Sequence, residues 1–253
     1  GFISTFTIDS DTGAITPILI QNHAVKGGSA NLEHDEERGL HNSLVQVDSD
    51  TYALAYEGLN RDGYISTFTI DSDTGAITPI LIQNHAVKGG SANLEHDENR
   101  ASFNSLVHVV SDTYALAYTS HGEDGFISTF TIDSDTGAIT PILIQNHAVK
   151  GGSANLEHDE ERGLHNSLVQ VDSDTYALAY TGIDTNGFIS TFTISSDGSS
   201  IVKVENLEHD TDVGNYNSLV QVDSDTYALA YTSGGKDGWI STFTISSDEI
   251  KEK

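Results

Sequence analysis

A chain of 253 residues with 11 Lys plus Arg against 38 Asp plus Glu carries a formal charge of −27, and a surface of that sign repels nucleic-acid phosphate and anionic membranes. Hydrophobic residues make up 37%, which excludes a disordered chain, and the absence of cysteine excludes a disulfide framework or a thiolate metal site. Apolar runs such as Ile18-Leu19-Ile20 fall far short of the roughly 20 residues of a spanning helix, so neither membrane insertion nor a signal peptide is expected.

From the first residue the chain repeats itself. The phrase Gly-aromatic-Ile-Ser-Thr-Phe-Thr-Ile starts at Gly1, Gly63, Gly125, Gly187 and Gly238. The first three intervals are 62 residues and the fourth is 51. Ile3 to Glu36 is identical to Ile65–Glu98 and Ile127–Glu160. A fixed period of this kind is the signature of a repeat architecture. The expected organisation is a single repeat domain, 1–253, with units starting at 1, 63, 125 and 187 and a partial unit, 238–253. Methionine is absent even at position 1, so a segment of a longer or processed chain is expected.

In chain order, one unit predicts four strands: Ser43 to Val47, Thr51 to Tyr56, Tyr64 to Ile70 and Ala76 to Ile82. All are short and rich in Val, Ile, Thr, Tyr and Phe. Asp48-Ser49-Asp50 and Asp71-Ser72-Asp73-Thr74-Gly75 supply turn chemistry between them. Period-two alternation puts Tyr52, Leu54 and Tyr56 on one face and Ala53 and Ala55 on the other. Sheets with one bulky and one small face stack on copies of themselves. Lys26-Gly27-Gly28-Ser29 lacks the spacing of a phosphate loop and predicts a flexible bend.

The four-stranded unit ending in Thr-Ile-Asp-Ser-Asp-Thr-Gly-Ala-Ile-Thr (Thr7 to Thr16) resembles a blade of the lactonase-like β-propellers. The resemblance implies fold and not activity. The expected fold is all-β: a β-propeller of four-stranded antiparallel blades, about four in this chain, with strands shared between the termini. An open array of small β units is the alternative.

Differences between the copies cluster in two loops: the link into the innermost strand, and the link between the second and third strands. Both fall at the same end of a meander, and loops on a rigid scaffold carry binding residues. The ligand-binding candidates are therefore His34, Asp35, Arg38, His41 and Asn42; His96, Asp97, Arg100, Phe103 and Asn104; His158, Asp159, Arg162, His165 and Asn166; and His209, Asp210, Tyr216 and Asn217. The Leu-Glu-His-Asp motif around each first His invites a metal or acid–base reading, or a structural one in which it satisfies loop backbone. The position of His41, Phe103, His165 and Tyr216 is always a ring, suited to stacking on a sugar or to plugging the channel mouth.

No Gly-x-Ser-x-Gly elbow is present, and repeated near-identical units argue against one asymmetric catalytic centre. The expectation is a non-enzymatic, multivalent, lectin-like binding module, extracellular or on a cell surface. A glycan or surface ligand would sit on the variable rim, with self-association through the terminal strands. A structural or adhesive repeat segment and a lactonase-like enzyme are the alternatives. No cofactor is expected, although abundant oxygen ligands are compatible with Ca2+.

Overall fold

The computed structural model describes residues 1–18, 25–26, 29–35, 38–80, 87–88, 91–142, 149–150 and 153–253. Among these residues the regular structure is β-strand, apart from four single 3-10 turns. Strands follow one another as antiparallel meanders. Blade I runs Leu40–Gln46, Thr51–Glu57, Gly63–Ile70. Blade II runs Ser102–Val110, Thr113–Thr119, Gly125–Ile132. Blade III runs Leu164–Gln170, Thr175–Thr181, Gly187–Ile194 and Ile201–Asp210. Blade IV runs Asn215–Gln221, Thr226–Thr232, Gly238–Ile245 and Ile250–Glu252. Ahead of them a half-blade pairs Phe2–Ser4 with Ser29–Glu33 and Phe6–Ile8 with Ile15–Pro17.

The fourth strand differs from its expected form. In blade I, Ile77–Pro79 pairs with the end of the third strand, and Ser91–Asp97 pairs with its beginning. One long third strand thus carries two half-strands, and the Leu-Glu-His-Asp motif belongs to the second half rather than to a loop. Blade II repeats this with Ile139–Pro141 and Ser153–Asp159. In blade III the halves fuse into one strand, with a register shift at Val204, the point between the two halves. Leu81 and Ile82, and the Gly27-Gly28 bend, lie outside the described residues. The expected sharing of strands between the termini is not seen. Each terminal segment has its own local partner, Ser29–Glu33 at one end and Ile250–Glu252 at the other.

Turn chemistry sets the hairpins. Asp71 Oδ1 accepts hydrogen bonds from the backbone N–H and hydroxyl of Thr74 at 2.6 and 2.7 Å, and Gly75 takes the left-handed φ of 68° that this turn needs. Between blades, the small face of one meets the bulky face of the next, as the alternation predicts. Ala53, Ala55 and Ile65 of blade I bury against Tyr114, Leu116, Tyr118 and Phe130 of blade II. Each such aromatic or leucine side chain contributes about 1.5–3 kcal/mol by burial. The same joint recurs between blades II and III and between III and IV, and Ile3 of the half-blade sits on the front of blade I.

Polar clamps repeat with it. Ser43, Ser105 and Ser167 hydroxyls accept the backbone N–H of Leu106, Leu168 and Leu219 in the following blade, each at 2.9 Å. Thr5, Thr67 and Thr129 hydroxyls donate to the carbonyls of Gly75, Gly137 and Gly198 at 2.7–2.9 Å.

The repeated histidines are part of this framework. His34, His96, His158 and His209 pack edge-on against Tyr56, Tyr118, Tyr180 and Tyr231 at 4.7–4.9 Å between ring centroids. They lie over Gly1, Gly63, Gly125 and Gly187, where any Cβ would collide with the imidazole. Burial holds His34, His96 and His209 down to about 4 and His158 to about 3. Unfolded, these groups bind protons near pH 6.5. Below that pH the unfolded chain therefore holds more protons than the folded one, and stability is lost as pH falls from about 6.5 towards 4. The loss is up to about 1.4 kcal/mol per pH unit for each histidine. Replacing His158 by Phe, which keeps an edge-on ring and removes the titration, should flatten the fall in Tm between pH 7 and pH 5. An unchanged slope would show that the histidines do not set it.

Candidate functional site

The two variable links meet at one rim, as expected from the meander. The Ala101 N–H donates to the Arg61 carbonyl at 3.0 Å, Gly163 to Glu123 at 2.8 Å and Gly214 to Thr185 at 2.9 Å. Each bond ties one blade's second-to-third link to the next blade's approach to its innermost strand. Backbone strain concentrates here. His41, Phe103, His165 and Tyr216 all have φ of 53–55°, and Arg61, Glu123, Thr185 and Lys236 have φ of 70–78°. Left-handed backbone at a bulky or β-branched residue costs about 1–3 kcal/mol and clusters at functional sites.

The ring residues sit where the first strand slips register against the second, between Leu40 and Ser43 and at the equivalent points. The slip turns the rings toward one another. His41 packs against Phe103 at 4.3 Å, Phe103 against His165 at 4.3 Å and His165 against Tyr216 at 4.4 Å, with the ring planes tilted by 48–58°. Four blades thereby build one continuous row, bordering a depression of about 290 Å³ with Asn42, Asn104, Asn166 and Asn217.

Several candidates turn out to be supports. The amides of Asn42, Asn104, Asn166 and Asn217 donate to the carbonyls of Gly39, Ala101, Gly163 and Gly214 at 3.0–3.2 Å, which fixes the strained turn before each ring. Asp35, Asp97, Asp159 and Asp210 accept backbone N–H bonds within their own loops, including those of Arg38, Arg100, Arg162 and Val213. Asp97 and Asp210 also take the hydroxyls of Ser120 and Ser233 at 2.8 Å. His34, His96 and His158 are buried and His209 is half-buried, each against a tyrosine of the sheet. Among the described residues no group of three His, Asp or Glu side chains is placed to hold a metal ion.

What remains is asymmetric. The residue closing the second strand is Thr119, Thr181 and Thr232 in three blades and Glu57 in blade I. Glu57 is fully buried. It pairs with Arg38, lies 3.5 Å from Arg61 Nε and 4.0 Å from His41 Nε2, and accepts the Ser102 hydroxyl from blade II. Arg100 Nε donates to the same Ser102 hydroxyl at 3.0 Å and feels the charges of Arg61, Glu57, Glu123 and Arg38. Arg162 pairs with Glu123 at 3.2 Å. All the arginines of the chain (Arg38, Arg61, Arg100 and Arg162) therefore stand on this rim of a molecule whose formal charge is −27.

His41 is held below the usual imidazole range by burial; Glu57 opposes that and the three arginines reinforce it. His165 is pushed down to about 4 by burial, His41 and Arg162. Both are neutral at pH 7. Glu57, Arg61, Ser102 and Glu123 were not among the sequence candidates. The signal for Glu57 was its break in an otherwise constant Tyr-Ala-Leu-Ala-Tyr-Thr phrase.

Solved structures similar to this chain share its radial blades. One is a protein from Bacteroides fragilis NCTC 9343 assigned as a 6-phosphogluconolactonase, at TM-score 0.57 and 15% identity over 99% of this chain and 62% of that one. Its fold is that of the β-propellers. Trypanosoma rangeli sialidase matches at TM-score 0.51 and 10% identity over 100% of this chain and 42% of its own. The catalytic domain of Coprinopsis cinerea GH62 α-L-arabinofuranosidase matches at 0.50 and 11% over 87% and 70%. The chain thus spans 62% of the first of these propellers and 42% of the second. No protein-family profile and no curated protein sequence matches it. The expectation of a non-enzymatic, lectin-like module is corrected by these propellers, each of which carries the name of an enzyme. Near-identical blades do not prevent an asymmetric centre either, because equivalent backbone positions carry His41, Phe103, His165 and Tyr216, and these side chains meet at one place.

The charge cluster should be energetically lopsided. Removing Arg38, as Arg38→Ala, leaves a buried carboxylate without its main partner and should cost about 3 kcal/mol in urea unfolding. Glu57→Thr leaves half-exposed guanidinium groups that water can solvate, and should cost about 1 kcal/mol. Equal losses would show that Glu57 is not desolvated.

Proposed function

We propose that this chain carries the substrate site of a hydrolase acting on an anionic sugar derivative, a lactone bearing a phosphate or carboxylate. The observation that carries the reading is the gathering of Arg38, Arg61 and Arg100 around one buried carboxylate and a neutral histidine. Guanidinium groups crowded at one spot of an acidic protein favour an anion, which they bind through paired N–H donors. The similarity in fold to a protein assigned as a 6-phosphogluconolactonase supports the substrate class.

In this reading Arg61 and Arg100 hold the anionic group, and Phe103 offers a ring face to the sugar. Glu57 orients His41 through Nε2, a contact that tightens when substrate closes the site. The other ring nitrogen takes a proton from water as the water oxygen bonds to the lactone carbonyl carbon. The ring C–O bond then breaks, the departing oxygen takes up the proton, and the hydroxy acid leaves.

The test is hydrolysis of 6-phosphogluconolactone and of unphosphorylated gluconolactone, each measured against its spontaneous rate. Acceleration should be greater for the phosphorylated substrate. It should fall about 100-fold in His41→Ala, the scale of general-base catalysis, whereas Arg100→Ala should raise KM with kcat largely kept. No acceleration of either lactone would reject the reading.

A further inference from the structure

Blade IV shows to solvent the face that every earlier blade buries. Ile240 is 74% exposed, while Ile65, Ile127 and Ile189 at the same position are 0% exposed. Ala230 and Val220 on that face are also exposed, and Ala228 is partly so. The polar clamps of the joint are present beside them: Ser218 and Thr242 stand where Ser43 and Thr67 grip the following blade.

At the other end of the chain the half-blade shows the outer part of the opposite, bulky face, carried by its Phe6–Ile8 and Ile15–Pro17 strands. Phe6 is 49% and Ile15 66% exposed, against 0% for Phe68 and 1% for Ile77, and Ile8 is exposed where Ile132 is buried. Gly13 holds the left-handed turn position of Gly75 and Gly137, whose carbonyls accept the threonine clamps. Gly75 and Gly137 lie against Ile18 and Ile80 of the preceding blade, whereas nothing lies within 4 Å of a Cβ built on Gly13.

We propose that the blade IV face of one molecule docks on the half-blade of a second copy, head to tail, and reproduces the outer part of the joint made three times between the four blades, the part contributed by the third strand and the half-strand beside it. In this contact Ile240 and Ala230 pack on Phe6, Ile8 and Ile15, and the Thr242 hydroxyl donates to the Gly13 carbonyl. The contact is heterologous: each molecule uses two different surfaces, so association runs on beyond a dimer or closes into a ring. The formal charge of −27 per copy opposes it, so added salt screens the repulsion and strengthens it.

Sedimentation velocity of the intact chain at 0.05 and 0.5 M NaCl tests this. The weight-average mass should rise with concentration, and more steeply at the higher salt. Ile240→Asp and Phe6→Asp alter exposed positions and should each leave the circular dichroism and Tm unchanged. Each variant alone should be monomeric, since each lacks one of the two surfaces. Mixed, they retain one intact surface apiece and should form a 1:1 dimer that grows no further. A wild-type chain that stays monomeric at both salts overturns the proposal, as does either variant self-associating alone or a mixture that fails to pair. None of these outcomes depends on the rim or on hydrolysis.

Discussion

The architecture rests on a size mismatch between the two faces of one strand. Ala53 and Ala55 leave room on the back of the sheet for the Tyr114, Leu116 and Tyr118 side chains of the next. Because the bulky and the small face lie on the same residue run, every blade is both plug and socket. The joint buries large aromatic area without demanding that adjacent inner strands hydrogen-bond as a sheet. The serine clamp from Ser43 to the Leu106 N–H sets their spacing instead. Larger residues at the alanine positions would push the blades apart, and the rim would lose its geometry with them.

That spacing determines what the rim can do. The rings from His41 to Tyr216 meet at 4.3–4.4 Å only because consecutive inner strands are held at a constant separation and each slips register at the same point. The supporting residues are nearly constant from blade to blade: the asparagine that ties down the turn, the aspartate that caps its own loop, the histidine under the sheet. The residues of the two rim links above them vary. A repeated frame with varied tips lets one site draw chemically different groups from identical backbone positions. This is how Glu57, Ser102 and three arginines come together although the blades that bear them are near copies.

Much of this was legible in the sequence. The period, three of the four strands in each unit and the two variable links follow from alternation and turn residues alone, because they are local properties of short segments. The divided fourth strand was not legible. Its two halves pair with one partner from places far apart in the chain, and pairing of that kind leaves no local pattern. Among the candidates, the ring positions were found because a ring recurs where everything around it is fixed. For His34 and Asp35 the sequence left a ligand role and a structural role side by side, since it gives proximity without direction; in the structure both side chains are buried in the frame. Glu57 went unnoticed because a carboxylate is common in so acidic a chain. Its place at the end of the Tyr-Ala-Leu-Ala-Tyr phrase, where the other units have Thr, and its burial together distinguish it.

The divided strand also shows where this molecule tolerates change in length. In blades I and II residues 80–90 and 142–152 separate the two half-strands in sequence, while in blade III a single unpaired residue, Val204, stands between them. The repeat interval contracts from 62 to 51 residues there, yet His209 still reaches Tyr231 and Tyr216 still joins the row. Each half-strand is anchored to the third strand on its own, so a change in the length of chain that joins them need not move either one. Foreign sequence of varied length could be grafted at that outer position in any blade, and the chemistry at the opposite end of the sheet would not register the insertion.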